Sequence, residues 1–168
     1  MTTKNIIIDI FSYFAKFPKR EGIYPLFNVD NSTMPGYESL RDMIASMETH
    51  SLTSIQYYIF GANLEAIGNR VNNIPTDSSR LAITVAFRLK NFSIDLVEQT
   101  LAFSHSLESI VSIRNTMIID QKCHSWLKFL SDNHSFVPFV SEKLSSIGWT
   151  LYFNREAFDS FEASILRR

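Results

Sequence analysis

The sequence predicts a single α+β domain: a mostly antiparallel sheet of three to five strands with helices packed mainly on one face. Three observations carry this. RLAITVAFRLK, 80–90, sets Leu81, Ile83, Val85, Phe87 and Leu89 against Ala82, Thr84, Ala86, Arg88 and Lys90, a period-two pattern with one buried face. LTSIQYYIF, 52–60, and IGWTLYFN, 147–154, are rich in β-branched and aromatic residues. Amphipathic helical patterns lead and follow these strands without alternating regularly with them, as parallel βαβ units would require.

Taken in order, residues 4–17 gather Ile6, Ile7, Ile10, Phe11, Phe14 and Phe17 on one side of a helix, with Thr2 or Thr3 as cap and Pro18 as its stop. Residues 18–37, PKREGIYPLFNVDNSTMPGY, hold three of the five prolines and two of the five glycines. They read as an irregular connector, with a short extended piece at 23–29. Leu40, Met43, Ile44 and Met47 then mark a second amphipathic helix over 38–49. Between the strands at 52–60 and 80–90, Leu64, Ile67 and Val71 suggest a short helix followed by a polar loop.

From Ser93 to Ile119 the pattern is helical, with Ser93 as cap and Asp95 and Glu98 in the first turn, where the dipole favours negative charge. Ile94, Val97, Leu101, Leu107, Ile110, Val111 and Met117 supply the inner face, and Ser104-His105-Ser106 is placed to split the helix. A short helix is expected at 122–131, a turn at Pro138, one helical turn at 141–146 and a late strand at 147–154. Residues 155–166 fit either an extended segment or a helix.

A chain of 168 residues fits one domain, 1–168, and buries enough surface for a core without disulfides or metals. Its 16 basic and 17 acidic side chains nearly cancel, which argues against a nucleic-acid surface and puts little repulsion in the way of self-association. One cysteine cannot form an internal disulfide, and no stretch approaches the roughly 20 apolar residues of a membrane helix. The cytoplasm is the compartment these features favour.

The stretch closest to chemistry is CHSWLKFLSDNH, 123–134. On a helix, Cys123 falls on the apolar stripe with Leu127 and Leu130, whereas His124 shares the wet side with Lys128 and Ser131. The thiol therefore reads as a small buried hydrophobe. No paired C-x-x-C or H-x₃-H spacing supplies a zinc site. Asp120 and His124, four apart, are the one polar pair that offers an enzyme reading, through a carboxylate fixing a histidine tautomer. The five glycines form neither G-x-G-x-x-G nor a P-loop, and G-x-S-x-G does not occur. No catalytic, cofactor-binding or metal-ligating residue is assigned, and no cofactor is expected.

Aromatic residues make up 13% of the chain. Helices on one side of the sheet leave the other face open, and Tyr58, Phe60 and Tyr152 fall on that side, a candidate self-association surface. The arrangement of IIIDIFSYFAKF, of RLAITVAFRLK feeding SIDLVEQTLAFSHSL, and of closing SIGWTLYFN resembles small phage or prophage structural proteins of the tail-terminator or tail-completion kind. That resemblance implies a non-enzymatic α+β subunit that assembles into a ring at a tail tube, in the virion. It carries over no functional residues. The chain thus reads as a homo-oligomer or a partner of other assembly proteins; a domain binding a small molecule or peptide in a cleft beside the sheet is the alternative.

Overall fold

The computed structural model describes residues 10, 12–25, 56–71, 74–90, 92, 95–123, 127 and 130–158. Two helices, α1 (Lys16–Glu21) and α2 (Leu96–Asp120), pack on a sheet of β1 (Tyr24–Pro25), β2 (Gln56–Val71), β3 (Ile74–Arg88), β4 (Leu130–Ser141) and β5 (Ser146–Phe158). The strand order is β1-β2-β3-β5-β4. Every pairing is antiparallel except β1 with β2, which is parallel and joins Tyr24 to Tyr57 and Pro25 to Tyr58. The α+β expectation therefore holds.

Alternation in β3 organises the core. Leu81, Ile83 and Val85 lie wholly buried and pair across β5 with Phe153, Leu151 and Trp149. Across β2, Ile83 faces Phe60 and Val85 faces Tyr58. On this face sit Ile10, Tyr13, Phe14 and Phe17 from the first helical stretch, and Ile110, Ile113 and Met117 from α2. The Phe14 ring stacks on Phe60 at 4.5 Å and tilts against Phe153 at 5.5 Å. Offset contacts of this kind add to area burial.

Several expectations are corrected. Pro18 does not stop its helix. It is the third residue of α1, and Phe14 O, four residues back, accepts from the Tyr58 hydroxyl in place of the N–H that proline lacks. The helix ends instead at Gly22, whose φ of 67° suits the left-handed C-terminal position, and both Gly22 and Ile23 donate backbone N–H to Pro18 O. Part of the expected connector 18–37 is regular, since α1 and β1 claim 18–21 and 24–25; residues 26–37 lie outside the described residues, as does the helix expected at 38–49.

No helix separates β2 from β3. The two strands run 16 and 15 residues and pair down to Val71 with Ile74. Between Glu65 and Asn69 the register slips, so three residues, 66–68, face the single residue Asp77. Such a bulge interrupts the ladder locally, and Ile67, one of the three residues that suggested a helix, lies inside it. Likewise α2 runs unbroken through Ser104-His105-Ser106, because serine in a helix costs only a few tenths of a kcal/mol. Ser106 is fully buried, and with Ala102 it forms a low spot on the helix surface that faces inward. That rotation turns Val97 and Leu101 outward to solvent. The cap is Asp95, not Ser93: its carboxylate accepts from the N–H groups of Val97 and Glu98, both at 3.0 Å.

Pro138 lies within β4 rather than in a turn. An outermost strand tolerates proline because the missing donor faces away from the ladder. The expected helical turn at 141–146 is a hairpin connection closed by Ser141 and Ser146, with Ser145 in the left-handed region at φ 48°. No helix spans 122–131: residues 121–123 are a turn, Leu127 is a buried core residue, and β4 begins at Leu130.

Candidate functional site

The C-terminal end of α2 brings Asp120 against Tyr13, whose hydroxyl donates to Oδ2 at 2.9 Å. Burial foremost, and then the Asp120 carboxylate, push the Tyr13 phenol well above the ordinary tyrosine range, so it remains a donor. Asp120 is thereby tied to the first helical stretch. Its sequence partner His124 lies outside the described residues. Cys123, expected on an apolar stripe, is exposed, in the turn 121–123 that follows α2. Among the described residues no three His, Cys, Asp or Glu side chains gather closely enough to hold a metal ion, and no helix is long and apolar enough to cross a membrane.

The proposed association surface divides. Tyr58 and Phe60 are only 3% and 5% exposed, buried under the helices, and the Tyr58 hydroxyl donates to Phe14 O at 3.1 Å. Burial raises its pKa. QYYIF carries aromatic residues at both parities, so alternation alone cannot orient it; pairing of Tyr58 with Val85 and Phe60 with Ile83 does. Tyr152, at 39% exposure, stands on the opposite, open face as expected.

That open face is uneven. At one end the paired row Tyr57, Ala86, Gly148, Phe139 crosses four strands. Leu144, from the β4–β5 connection, joins Tyr57 and Ala86 in a small second core. A side chain at Gly148 would place Cβ 2.1 Å from Val85 O, so only glycine fits beneath the aromatic pair. The Tyr57 hydroxyl is buried without a hydrogen-bond partner among the described residues. Burial pushes its pKa up, while nearby Ser146 and Arg88 pull the other way. Ser146 turns its own hydroxyl to Leu144 O at 2.7 Å. Midway along the face, Thr84 and Thr150 share a hydrogen bond at 2.8 Å.

At the other end the surface opens into a hollow of about 420 Å³ lined by Arg80, His134, Ser135, Tyr152, Phe153 and Asn154. Arg80 pairs across the strands with Asn154, and Ser135 with Tyr152, so donor groups crowd this dish. His134 reaches the covered side of β4, where Nε2 lies 3.5 Å from Arg114 Nη1 and its ring meets Phe136 edge-on. The Arg114 guanidinium stacks over Phe136 at 5.5 Å.

Beside the hollow, β4 forms the border of the sheet and carries Val137 at 42% and Val140 at 58% exposure. Neither valine was singled out by sequence reasoning. The signal was there: Phe136, Pro138 and Val140 alternate with Val137 and Phe139, but a proline read as a turn hid the strand. No protein-family model matches the chain, and no curated protein and no solved structure shows significant similarity to it.

Proposed function

We propose that this chain is a non-enzymatic structural or assembly subunit that associates with copies of itself, in the manner of phage or prophage tail proteins. The observation that carries the reading is the outer margin of the sheet. A 12-residue strand with no neighbour on its far side among the described residues bears two exposed valines, and exposed Tyr152 adjoins it on the open face. Unpaired strand borders invite another strand, and exposed apolar groups at such a border gain by being covered. Near-zero net charge leaves that approach unopposed.

Sedimentation velocity across a wide concentration range tests this. Concentration-dependent association into a defined oligomer is expected; a monomer at every concentration overturns it. The hollow at Arg80 and Tyr152 favours a second reading, a module that binds a small molecule or peptide. Ligand-dependent chemical-shift changes confined to those residues would favour it over assembly. An enzyme built on Asp120 and His124 would need Asp120 to leave Tyr13, and Tyr13→Phe would then raise its activity.

A further inference from the structure

The hollow on the open face has a polarity. Arg80 on β3 and Asn154 on β5 are direct cross-strand partners, so their side chains leave the sheet side by side, roughly 5 Å apart at Cβ. Tyr152 lies two residues back along β5 on the same face, roughly 7 Å away. Ser135 stands opposite Tyr152 on β4, and half-buried Ala82, its partner on β3, leaves room beside the ring. A guanidinium, an amide and two hydroxyls thus border one dish of about 420 Å³, a volume suited to a small ligand. Of these groups only the guanidinium carries a permanent charge. The amide and the hydroxyls can donate or accept, so Arg80 sets the sign of what they surround. His134, at the rim, turns Nε2 toward Arg114 on the covered side.

We propose that this hollow binds an aromatic carboxylic acid through its carboxylate, with Arg80 as the anchor. This rests on the ligand-binding reading of the hollow and names its ligand class. The guanidinium fork takes both oxygens of a planar carboxylate at once, and its one positive charge balances the single negative charge. A phosphate dianion at the same arginine would be left half compensated. Asn154 Nδ2, beside the guanidinium, can donate to the same oxygens. An acid held there extends along β5 toward the Tyr152 ring, which is 39% exposed, so a flat aromatic body gains by covering it. The Ser135 and Tyr152 hydroxyls close that end and suit a polar substituent on the far side of the ligand ring. The same carboxylate chemistry occurs in a free aromatic acid and at the C-terminus of a peptide ending in an aromatic residue.

Titrations of the full chain followed by amide chemical shifts test this, with benzoate, benzamide, benzylamine and inorganic phosphate as probes. Benzoate should shift Arg80, Ser135, Tyr152 and Asn154 with a dissociation constant on the order of 1 mM, as befits a small ligand in an open site. Benzamide, the same shape without the charge, should bind about tenfold more weakly, and benzylamine and phosphate should bind more weakly than benzoate. Arg80→Gln should raise the benzoate dissociation constant about tenfold, and Arg80→Lys, which keeps the charge without the fork, should raise it less. Lys122→Gln, which removes a charge from an exposed position beyond α2, should leave it unchanged. N-acetylphenylalanine separates the two sources: binding tighter than benzoate points to a peptide C-terminus, and weaker binding to a free acid. If benzamide, benzylamine or phosphate binds as tightly as benzoate, or Arg80→Gln leaves benzoate affinity unchanged, the carboxylate assignment is wrong and the hollow remains a site for another ligand. If no probe shifts these residues at concentrations well above the expected constant, the carboxylate assignment and the ligand-binding reading fall together.

Discussion

The two faces of this sheet are built from one set of strands, yet they hold their residues by different means. Under the helices, β3 offers Leu81, Ile83 and Val85, large groups that meet Phe14, Phe60 and Phe153 in a continuous core. On the other side the same strand offers Ala82, Thr84 and Ala86. Small residues leave depth there, and Tyr57, Phe139 and Leu144 fill it at one end only. Toward the far end the depth remains as the hollow beside Arg80 and Tyr152. Stability thus concentrates on one face, and the capacity to meet something else concentrates on the other.

Substitutions can break this contrast, and the largest effect belongs to the covered face. Phe14→Ala removes a fully buried ring from between Phe60 and Phe153 and should cost about 3–5 kcal/mol in urea unfolding. Gly148→Ala tests the open face by overpacking. Its Cβ would fall 2.5 Å from Ala86 Cα, against backbone that cannot swing aside, and about 1–3 kcal/mol should be lost. A cost under a few tenths would mean that the Tyr57–Phe139 row is loose.

Alkali probes both faces together. Tyr13 and Tyr58 under the helices and Tyr57 on the open side all have raised pKa values, foremost because they are buried. In the unfolded chain tyrosine loses its proton near pH 10, while these three keep theirs in the fold. Above that pH the unfolded state binds fewer protons, so stability, intact below pH 10, should fall as pH rises, by up to about 1.4 kcal/mol per pH unit for each group. Tyrosinate absorbance should lag until unfolding. Tyr58→Phe and Tyr57→Phe should each flatten the slope, and an unchanged slope would show that the group titrates in the native protein.

Thr84→Val strands the buried Thr150 hydroxyl and should cost about 1 kcal/mol or somewhat more, whereas valine at both positions should restore most of it. Smallest of all, Tyr152→Ser should leave monomer stability within about 0.5 kcal/mol, as surface changes do. A larger loss would make the open face part of the core, and the contrast between the faces would collapse.

Where the sequence was legible, a periodic signal coincided with a single sided environment. Leu81, Ile83 and Val85 repeat every second residue because that side of β3 faces the main core, and Ile110 and Met117 mark the inner side of α2 for the same reason. Legibility failed where two environments or two spacings overlapped. QYYIF has aromatics on both sides of the strand, so the choice between Tyr57 and Tyr58 as the inward residue rested on register. The bulge at 66–68 disguised a strand as a helix, and Pro138 disguised a border strand as a turn. The hollow had no local signature, since it arises where residues of β3, β4 and β5 that are distant in the chain lie side by side.

By itself, then, the order of residues determined that this chain forms helices and a largely antiparallel sheet, because hydrophobic period and proline or glycine placement act over a few neighbours. It also determined near-neutral charge and the lack of a recognisable catalytic motif. Only the tertiary structure decided which aromatics are interior, which strand lies outermost, and that Asp120 answers Tyr13. Those outcomes depend on register and helix rotation, which are set by contacts between residues far apart in the chain.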